Sequence, residues 1–259
     1  MGQTIQKQIN NNLSDTKSIV TVKDITKDYG NNCGIFDVSF EIRRGEVFGF
    51  IGPNGAGKTT TIRQLLGFIK GDKGNCKILG MDCWKEPREI QKHLGYIAGE
   101  TAMPEGMTGQ ELFNFIAKLR GIKTQRANEV CEYFDINPKG KIKRMSKGMK
   151  QKIALVLAFM HDPEILLLDE PTSGLDPLMQ EKFCELMLKE KERGKTVMLS
   201  SHIFNEVEKT CDRVAIIKHG RIITEVDMKG IEKRKPEFVV TKFSLEKCFM
   251  DYYRKEETK

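Results

Sequence analysis

One stretch of nine residues constrains this chain more than any other. It matches the phosphate-binding loop pattern Gly-x4-Gly-Lys-Ser/Thr in full. Its residues are Gly52, Pro53, Asn54, Gly55, Ala56, Gly57, Lys58, Thr59 and Thr60. Glycines let the backbone adopt conformations that a Cβ forbids, and successive backbone N–H groups form a nest for anionic oxygens. We therefore predict that all nine residues bind the phosphates of a nucleotide.

The neighbours of this loop supply the context that the pattern requires. Residues 46–51 form an apolar run suited to a buried strand. Apolar residues follow the loop at helical spacing, namely Ile62, Leu65, Leu66 and Ile69. The loop then opens onto a helix N-terminus, which favours bound phosphate. In such a loop Lys58 reaches the β- and γ-phosphates, and the Thr59 hydroxyl is a ligand of Mg2+. The alternative is a Gly-rich turn that matches by chance.

Composition excludes several classes of protein. The 259 residues carry a net charge of +7, and no apolar run approaches the roughly 20 residues of a membrane span. The first residues lack the apolar core of a signal peptide. Seven cysteines occur without any Cys-x-x-Cys pair, which suits reduced thiols in a cytosol. The charge is compatible with a nucleotide or an acidic membrane surface and selects neither.

The order of predicted elements indicates an α/β fold. Residues 1–16 are predicted to be a flexible tail, 17–235 one domain with a helical insertion at about 98–160, and 236–259 a short C-terminal extension. A turn is predicted at 71–75. Predicted strands cover residues 18–25, 37–42, 46–51, 77–79, 94–97, 165–169, 196–200, 213–218, 221–226 and 238–243. Predicted helices cover residues 87–93, 108–120, 125–134, 146–160, 177–193, 204–211 and 245–253.

The first helix of the insertion has a clear start signal. Thr108 and Glu111 have the spacing of a capping box. The helical period then predicts one apolar face, made of Leu112, Phe115, Ile116 and Leu119.

A pair of carboxylates follows the apolar run 165–168. Asp169 ends this predicted strand, at the sheet edge where open α/β folds bind their ligands. There it is placed to hold Mg2+. Glu170 follows directly and is placed to act as a general base on an attacking water. The alternative is a solvated strand end.

Several segments together resemble ATP-binding cassette (ABC) ATPases. Residues 169–177 (Asp-Glu-Pro-Thr-Ser-Gly-Leu-Asp-Pro) resemble the Walker B and D-loop segment, and residues 145–149 (Met-Ser-Lys-Gly-Met) resemble the signature motif. His202 falls at the place of the switch histidine, and Tyr29 at that of the aromatic that stacks on adenine. The resemblance covers about residues 18–226. It implies a P-loop NTPase (RecA-like) core with an antiparallel β subdomain and an inserted α-helical subdomain.

The resemblance also implies roles for individual residues. In this family two domains dimerise head to tail and bury two ATP molecules. Ser146 and Gly148 then bind the γ-phosphate held by the opposite subunit, Asp176 couples the two sites, and His202 hydrogen-bonds the γ-phosphate.

The sequence departs from the family at two places. Lys147 and Met149 replace the usual Gly and Gln of the signature, while Ser146 is kept. Gly99 stands where the family carries a glutamine that touches Mg2+, and we assign Glu100 as the magnesium ligand in its stead. The basic run 139–152 is either a solvated face or a site that attracts nucleotide phosphates or anionic headgroups.

The resemblance implies the ATP-binding and hydrolysing subunit of a membrane transporter, with ATP and Mg2+ bound. Its partners are transmembrane permease subunits on separate chains and a second nucleotide-binding subunit, in a homodimer or heterodimer at the cytoplasmic face of the membrane. No nucleic acid is expected. Residues 244–253 resemble the ending of bacterial exporter ATPases that pair with ABC-2-type permeases. The alternatives are a soluble ABC ATPase that remodels a protein or nucleic acid complex, and a P-loop kinase or GTPase, which the signature segment opposes.

Overall fold

The computed structural model describes residues 18–100 and 102–228. The predicted N-terminal tail, the strand 238–243 and the helix 245–253 lie outside these residues. The ten strands of the described part are β1 (Ser18–Asp28), β2 (Gly34–Arg43), β3 (Val47–Ile51), β4 (Lys73–Ile78), β5 (Met81–Asp82), β6 (Leu94–Ile97), β7 (Ile165–Asp169), β8 (Thr196–Ser201), β9 (Arg213–Lys218) and β10 (Arg221–Asp227). Its seven α-helices are α1 (Lys58–Leu65), α2 (Pro87–His93), α3 (Gly109–Arg120), α4 (Gln125–Tyr133), α5 (Lys147–Phe159), α6 (Pro177–Glu192) and α7 (Phe204–Thr210).

A six-stranded sheet forms the centre of the fold, in the order β10-β9-β3-β8-β7-β6. Its strands are parallel except for β10, which pairs antiparallel with β9. Every residue of β3, β7 and β8 is buried, because continuous apolar runs suit strands that are covered on both faces. Ile51 pairs with Ser201, and Asp169 pairs with Ser200. The carboxyl ends of β3, β7 and β8 therefore lie level at one edge of the sheet.

A second sheet has the order β2-β1-β4-β5 and is antiparallel throughout. From Val38 onward, buried and exposed residues alternate along β2, and the buried ones pack against the central sheet. Phe40 of β2 stacks on Phe48 of β3 with ring centroids 5.3 Å apart. The predicted combination of a P-loop core with an antiparallel sheet is confirmed.

Helices α3, α4 and α5 lie between β6 and β7 in the chain, where the sequence predicts helices. They share a hydrophobic core with β7 and α6. The predicted capping box of α3 is present, since Glu111 N–H donates to Thr108 Oγ1 at 3.1 Å and Thr108 N–H donates to Glu111 Oε2 at 2.7 Å. Within residues 18–100 and 102–228, no helix combines the length and the apolar character of a membrane span. The six cysteines of these ranges are free thiols.

The predicted apolar face of α3 is partly wrong. Leu112 is buried, but Phe115 is 53% exposed and Leu119 is 72% exposed. Phe113 and Ala117 are buried in their place. The core of this region meets α3 on the face of residues 112, 113 and 117, and spacing alone does not choose between two overlapping apolar faces.

Several further boundaries differ from prediction: β1 continues to Asp28 rather than ending at 25, and β2 begins at Gly34 rather than at 37. Strand β4 begins at Lys73, inside the predicted turn, because β1 bulges between Lys23 and Thr26 and keeps the pairing to Lys73. Gly74, between the paired residues Lys73 and Asn75, adopts a left-handed φ of +74°. Helix α1 ends at Leu65, so Ile69 lies beyond it.

Candidate active site at the carboxyl ends of β3, β7 and β8

The phosphate loop is held tightly by its neighbours. Gly57 has φ +110°, and a Cβ there would lie 2.5 Å from Cγ2 of Ile35. A Cβ on Gly52 would lie 2.2 Å from the carbonyl oxygen of Ile217. Gly220 N–H donates to the Ala56 carbonyl at 3.0 Å. Only glycine fits at residues 52 and 57, while Pro53, Asn54 and Gly55 are exposed at the loop's open side.

Lys58 begins α1 and is 6% exposed. Its ammonium group donates to the carbonyl oxygens of Gly52 at 2.7 Å and Pro53 at 3.2 Å. Nζ also lies 3.4 Å from Oε1 of Glu170. A buried cation at the mouth of a glycine loop and next to a helix N-terminus is suited to binding phosphate oxygens.

The carboxylate of Asp169 joins the loop to the central sheet. Its Oδ2 accepts a hydrogen bond from Thr59 Oγ1 at 2.6 Å, and its Oδ1 accepts one from Ser200 Oγ at 2.8 Å. Asp169 is fully buried. A hydroxyl and a carboxylate in contact are oxygen ligands of the kind that Mg2+ uses, together with substrate phosphates, in nucleotide sites.

Elsewhere in the part of the chain that the structure describes, no group of three or more His, Cys, Asp or Glu side chains has the arrangement of a metal site. Magnesium sites in proteins use one or two carboxylates and take further ligands from phosphates and water. Thr59 and Asp169 therefore fit a magnesium ion that arrives with a nucleotide.

Glu170 lies directly beyond Asp169 in a left-handed backbone conformation, with φ +48°. For a residue with a Cβ this conformation costs about 1 kcal/mol. Its backbone N–H donates to the Ser200 carbonyl at 2.9 Å, which secures the turn. Oε2 lies 2.6 Å from Nδ1 of His202, and Oε1 is buried without a hydrogen-bond partner in the described residues. One carboxylate oxygen thus contacts His202, and the other lies at ion-pair distance from Lys58.

The signature segment begins α5. Ser146 caps this helix and accepts a hydrogen bond from Met149 N–H at 3.2 Å. A Cβ on Gly148 would lie 2.6 Å from the carbonyl oxygen of Gly174, so glycine is required there. Lys147 lays its stem over Gly174 and donates to Ser173 Oγ at 3.2 Å. The contacts of this segment thus run to the loop that follows Glu170.

Asp176 ends the same loop. Its carboxylate caps α6 and accepts a hydrogen bond from Met179 N–H at 3.0 Å. Gln151 of α5 donates to the Pro171 carbonyl at 2.7 Å. The residues assigned to the signature and the D-loop are therefore connected through one loop.

Tyr29, the residue assigned to adenine stacking, lies at the rim of the site. Tyr29 is 53% exposed, and its N–H donates to the Cys33 carbonyl at 2.8 Å. Gly34, the residue after Cys33, lies beside Gly57, because a Cβ on Gly57 would be 3.5 Å from the Gly34 carbonyl oxygen. The turn that carries Tyr29 therefore flanks the phosphate loop.

Glu100 is placed differently from Gly99. A Cβ on Gly99 would lie 3.3 Å from Asp169 Oδ2, so Gly99 stands next to the carboxylate. Glu100 is exposed and lines a cleft of about 400 Å3 together with Lys147 and Lys150. The assignment of Glu100 to magnesium stays a prediction.

Sequence reasoning missed three residues of the site. Ser200 donates to Asp169, Gln151 holds the loop after Glu170, and Glu206 accepts a hydrogen bond from Ser201 Oγ at 2.6 Å. Ser200 ends the predicted strand 196–200, two residues before His202, so the sequence could have placed it near the site. Gln151 and Glu206 match no motif in the sequence, and their partners Pro171 and Thr172 lie 20 and 34 residues away.

The fold and the converging side chains define a P-loop ATPase. A family model described as ABC transporter matches residues 35–173, more than half of the chain. A second model, described as AAA domain, putative AbiEii toxin, Type IV TA system, matches residues 139–208. The chain belongs to the ABC transporter ATP-binding family.

Similar proteins support this family assignment. The chain is 40% identical over 217 residues to the uncharacterized ABC transporter ATP-binding protein YhcH of Bacillus subtilis (strain 168), covering 82% of this chain and 71% of that protein. It is 36% identical over 226 residues to the bacitracin transport ATP-binding protein BcrA of Bacillus licheniformis, covering 86% and 74%.

Solved structures agree as well. An ATP-binding subunit of an ABC transporter superposes with a TM-score of 0.81 at 29% identity, over 91% of this chain and 100% of the other. The ATP-binding cassette MJ0796, solved as a dimer in a post-hydrolysis state with ADP and Pi, gives 0.73 at 25% identity, over 81% and 98%. The chain is an ATP-binding subunit of the ABC transporter family with ATPase activity.

Proposed function

We propose that this chain is the ATPase subunit of an ABC exporter and drives a separate membrane permease. One observation carries the catalytic part of the proposal. At the level carboxyl ends of β3 and β7, Thr59 lies within hydrogen-bond distance of Asp169, and Lys58 lies within ion-pair distance of Glu170.

Each of these residues has a role in our proposal. Lys58 binds the β- and γ-phosphates of ATP, while Thr59 and Asp169 hold Mg2+. A magnesium ion held by Thr59 and Asp169 would supply positive charge that offsets the negative charge developing during phosphoryl transfer. Glu170 accepts the proton of the attacking water, and His202 holds Glu170 and contacts the γ-phosphate.

We further propose that two cassettes of this family enclose the nucleotides between them. Ser146 and Gly148 lie at the N-terminal end of α5, where backbone N–H groups and the helix dipole favour an anion. They bind the γ-phosphate held by the partner, and Asp176 couples the two sites. The other subunit is a second copy or a relative. The dimeric MJ0796 cassette supports such an assembly.

The permease contacts the cassette, in this proposal, through α3. Phe115 and Leu119 are one helical turn apart and expose large apolar side chains. Contiguous exposed apolar patches are a feature of protein interaction sites. Because residues 244–253 resemble the ending of exporter ATPases, we propose export as the direction and the cytoplasmic face of the membrane as the location. BcrA is named for bacitracin transport, which agrees with a transport role.

Purification from native membranes tests the partner. Full-length tagged protein, extracted in mild detergent, is expected to carry a stoichiometric multispan protein. Replacing Phe115 and Leu119 with Asp should release that protein while nucleotide binding is kept. Asn114→Asp, which adds a charge to the same exposed helix, is the matched control. Recovery only in the soluble fraction, with soluble partners, would overturn the permease proposal in favour of a remodelling ATPase.

A further inference from the structure

A buried carboxyl group connects the two segments that carry Glu170 and His202. It belongs to Glu206 in the first turn of α7, and 3% of this residue is exposed. Its Oε2 accepts hydrogen bonds from the Ser201 hydroxyl at 2.6 Å and from the Thr172 hydroxyl at 3.3 Å. One oxygen atom therefore joins the loop after β7 to the loop after β8.

Both hydroxyls sit close to the proposed catalytic pair in the chain. Thr172 is two residues beyond Glu170, and Ser201 directly precedes His202. Ser201 Oγ also accepts a hydrogen bond from Ile203 N–H at 3.0 Å, so the backbone on the far side of His202 is fixed as well. A shift of the Glu206 carboxyl group would move both loops relative to each other.

Burial of the Glu206 carboxyl group costs free energy. Its Oε1 is buried without a hydrogen-bond partner in the described residues, and such an atom loses its contact with water without compensation. Burial raises the pKa of Glu206 to about 7, which the Ser201 and Thr172 hydroxyls oppose. The charge of Glu170 raises this pKa further and that of His202 lowers it. The carboxyl group thus interacts electrostatically with both members of the pair.

We propose that Glu206 is a positioning residue for the Glu170–His202 pair. It holds the Thr172 and Ser201 hydroxyls at a fixed separation and so keeps the Glu170 carboxylate within reach of His202 and of the attacking water. Glu206 itself touches neither nucleotide nor metal. This inference rests on the proposed catalytic role of Glu170.

A purely structural role for Glu206, as an anchor of α7, makes a different prediction. Loss of an anchor lowers the stability of the fold and affects nucleotide binding and turnover together. Loss of a positioning residue lowers turnover selectively, because the phosphate-binding residues Lys58 and Thr59 are held by other contacts.

The experiment compares steady-state ATP hydrolysis by the full chain with its Glu206→Gln and Ser201→Ala variants. Glu206→Gln keeps the size of the side chain and removes its charge. We expect kcat to fall about tenfold or more, since misplaced catalytic groups are costly, with KM and the Kd for ATP changed less than about twofold. Glu208→Gln, an exposed residue of the same helix, is the matched control and should retain full activity.

The double variant adds a readout that a structural anchor would not give. If Glu206 acts through the Ser201 hydroxyl, Ser201→Ala should cause little further loss of kcat in the Glu206→Gln background. Unchanged kcat in Glu206→Gln, or equal losses of kcat and ATP affinity, would overturn the inference. The Glu170→Gln variant distinguishes failure of the proposed catalytic role of Glu170 from failure of the inference about Glu206. Full activity of that variant removes the proposed catalytic role, whereas its inactivity beside an active Glu206→Gln removes only the role of Glu206.

Discussion

Nδ1 of His202 lies 2.6 Å from Oε2 of Glu170, so the residue after β8 holds the side chain of the residue after β7. The other carboxylate oxygen of Glu170 lies 3.4 Å from the Lys58 ammonium. Glu170 is therefore oriented from two sides before any substrate is bound. Such preorganisation lowers the free energy needed to align a general base with its water.

Glu170→Gln should abolish most turnover and leave nucleotide binding intact. Gln keeps the shape of the side chain but cannot accept the proton of the attacking water. We expect kcat to fall about 100- to 10,000-fold, while ATP remains bound and the ATP-dependent dimer accumulates. Phosphate release and size-exclusion chromatography with ATP measure the two effects. Glu192→Gln, an exposed change, is the control. Rapid hydrolysis by Glu170→Gln would assign the base to another residue.

Lys58→Ala should weaken nucleotide binding about 10- to 100-fold, because charge-assisted hydrogen bonds to the phosphates contribute roughly 1.5–3 kcal/mol. Titration with a fluorescent ATP analogue measures the loss. Lys58 also donates to the carbonyls of Gly52 and Pro53, so circular dichroism must accompany the titration. The exposed Lys85→Ala serves as the matched control for lost charge. Unaltered affinity in a folded Lys58→Ala protein would contradict the assignment.

The sequence predicts those features that local interactions determine. The phosphate loop needs its glycines at residues 52 and 57 because neighbouring atoms leave no room for a Cβ. The start of α3 follows from the reciprocal bonds of Thr108 and Glu111, which lie three residues apart. The buried runs of β7 and β8 are apolar throughout and are recognisable without knowledge of their partners.

Features that depend on contacts between residues far apart in the chain could not be predicted from the sequence. Exposure of Phe115 depends on which side of α3 faces the neighbouring core. The early start of β4 depends on a bulge in another strand. The link from Glu206 to Thr172 spans 34 residues, and no local pattern connects them.

Asp169→Asn should raise the Mg2+ concentration required for half-maximal hydrolysis. The change removes the negative charge that contacts the Thr59 hydroxyl at 2.6 Å and that is suited to a hard divalent cation. Hydrolysis measured over a magnesium titration gives the requirement, and chelation with EDTA should abolish activity in both proteins. An unchanged requirement in Asp169→Asn would remove Asp169 from the metal site.

The same titration tests Glu100. Because Gly99 rather than Glu100 stands next to Asp169, we expect Glu100→Gln to change the magnesium requirement less than Asp169→Asn does. An equal or larger effect of Glu100→Gln would show that Glu100 reaches the metal when nucleotide is bound. Glu105→Gln, also exposed, controls for the loss of a nearby negative charge.

The stability of the protein should carry a pH dependence that originates in Glu206. Burial raises the pKa of this carboxyl group from 4.5 to about 7, so the folded state binds a proton that the unfolded state releases at lower pH. The favourable contribution of the protonated group is present below the unfolded pKa and is lost as pH rises through the folded pKa. Between about pH 4.5 and 7, Glu206 lowers the free energy of unfolding by about 3 kcal/mol at most.

Comparison with Glu206→Gln isolates this contribution from those of the other titrating groups. Gln does not ionise, so its free energy of unfolding relative to the original protein should rise between pH 5 and pH 8. Urea unfolding at the two pH values, monitored by circular dichroism, measures the difference, with Glu208→Gln as the exposed control. Curves for Glu206→Gln and the original protein that stay parallel from pH 5 to pH 8 would mean that Glu206 ionises equally in both states, so burial alone would not set its charge.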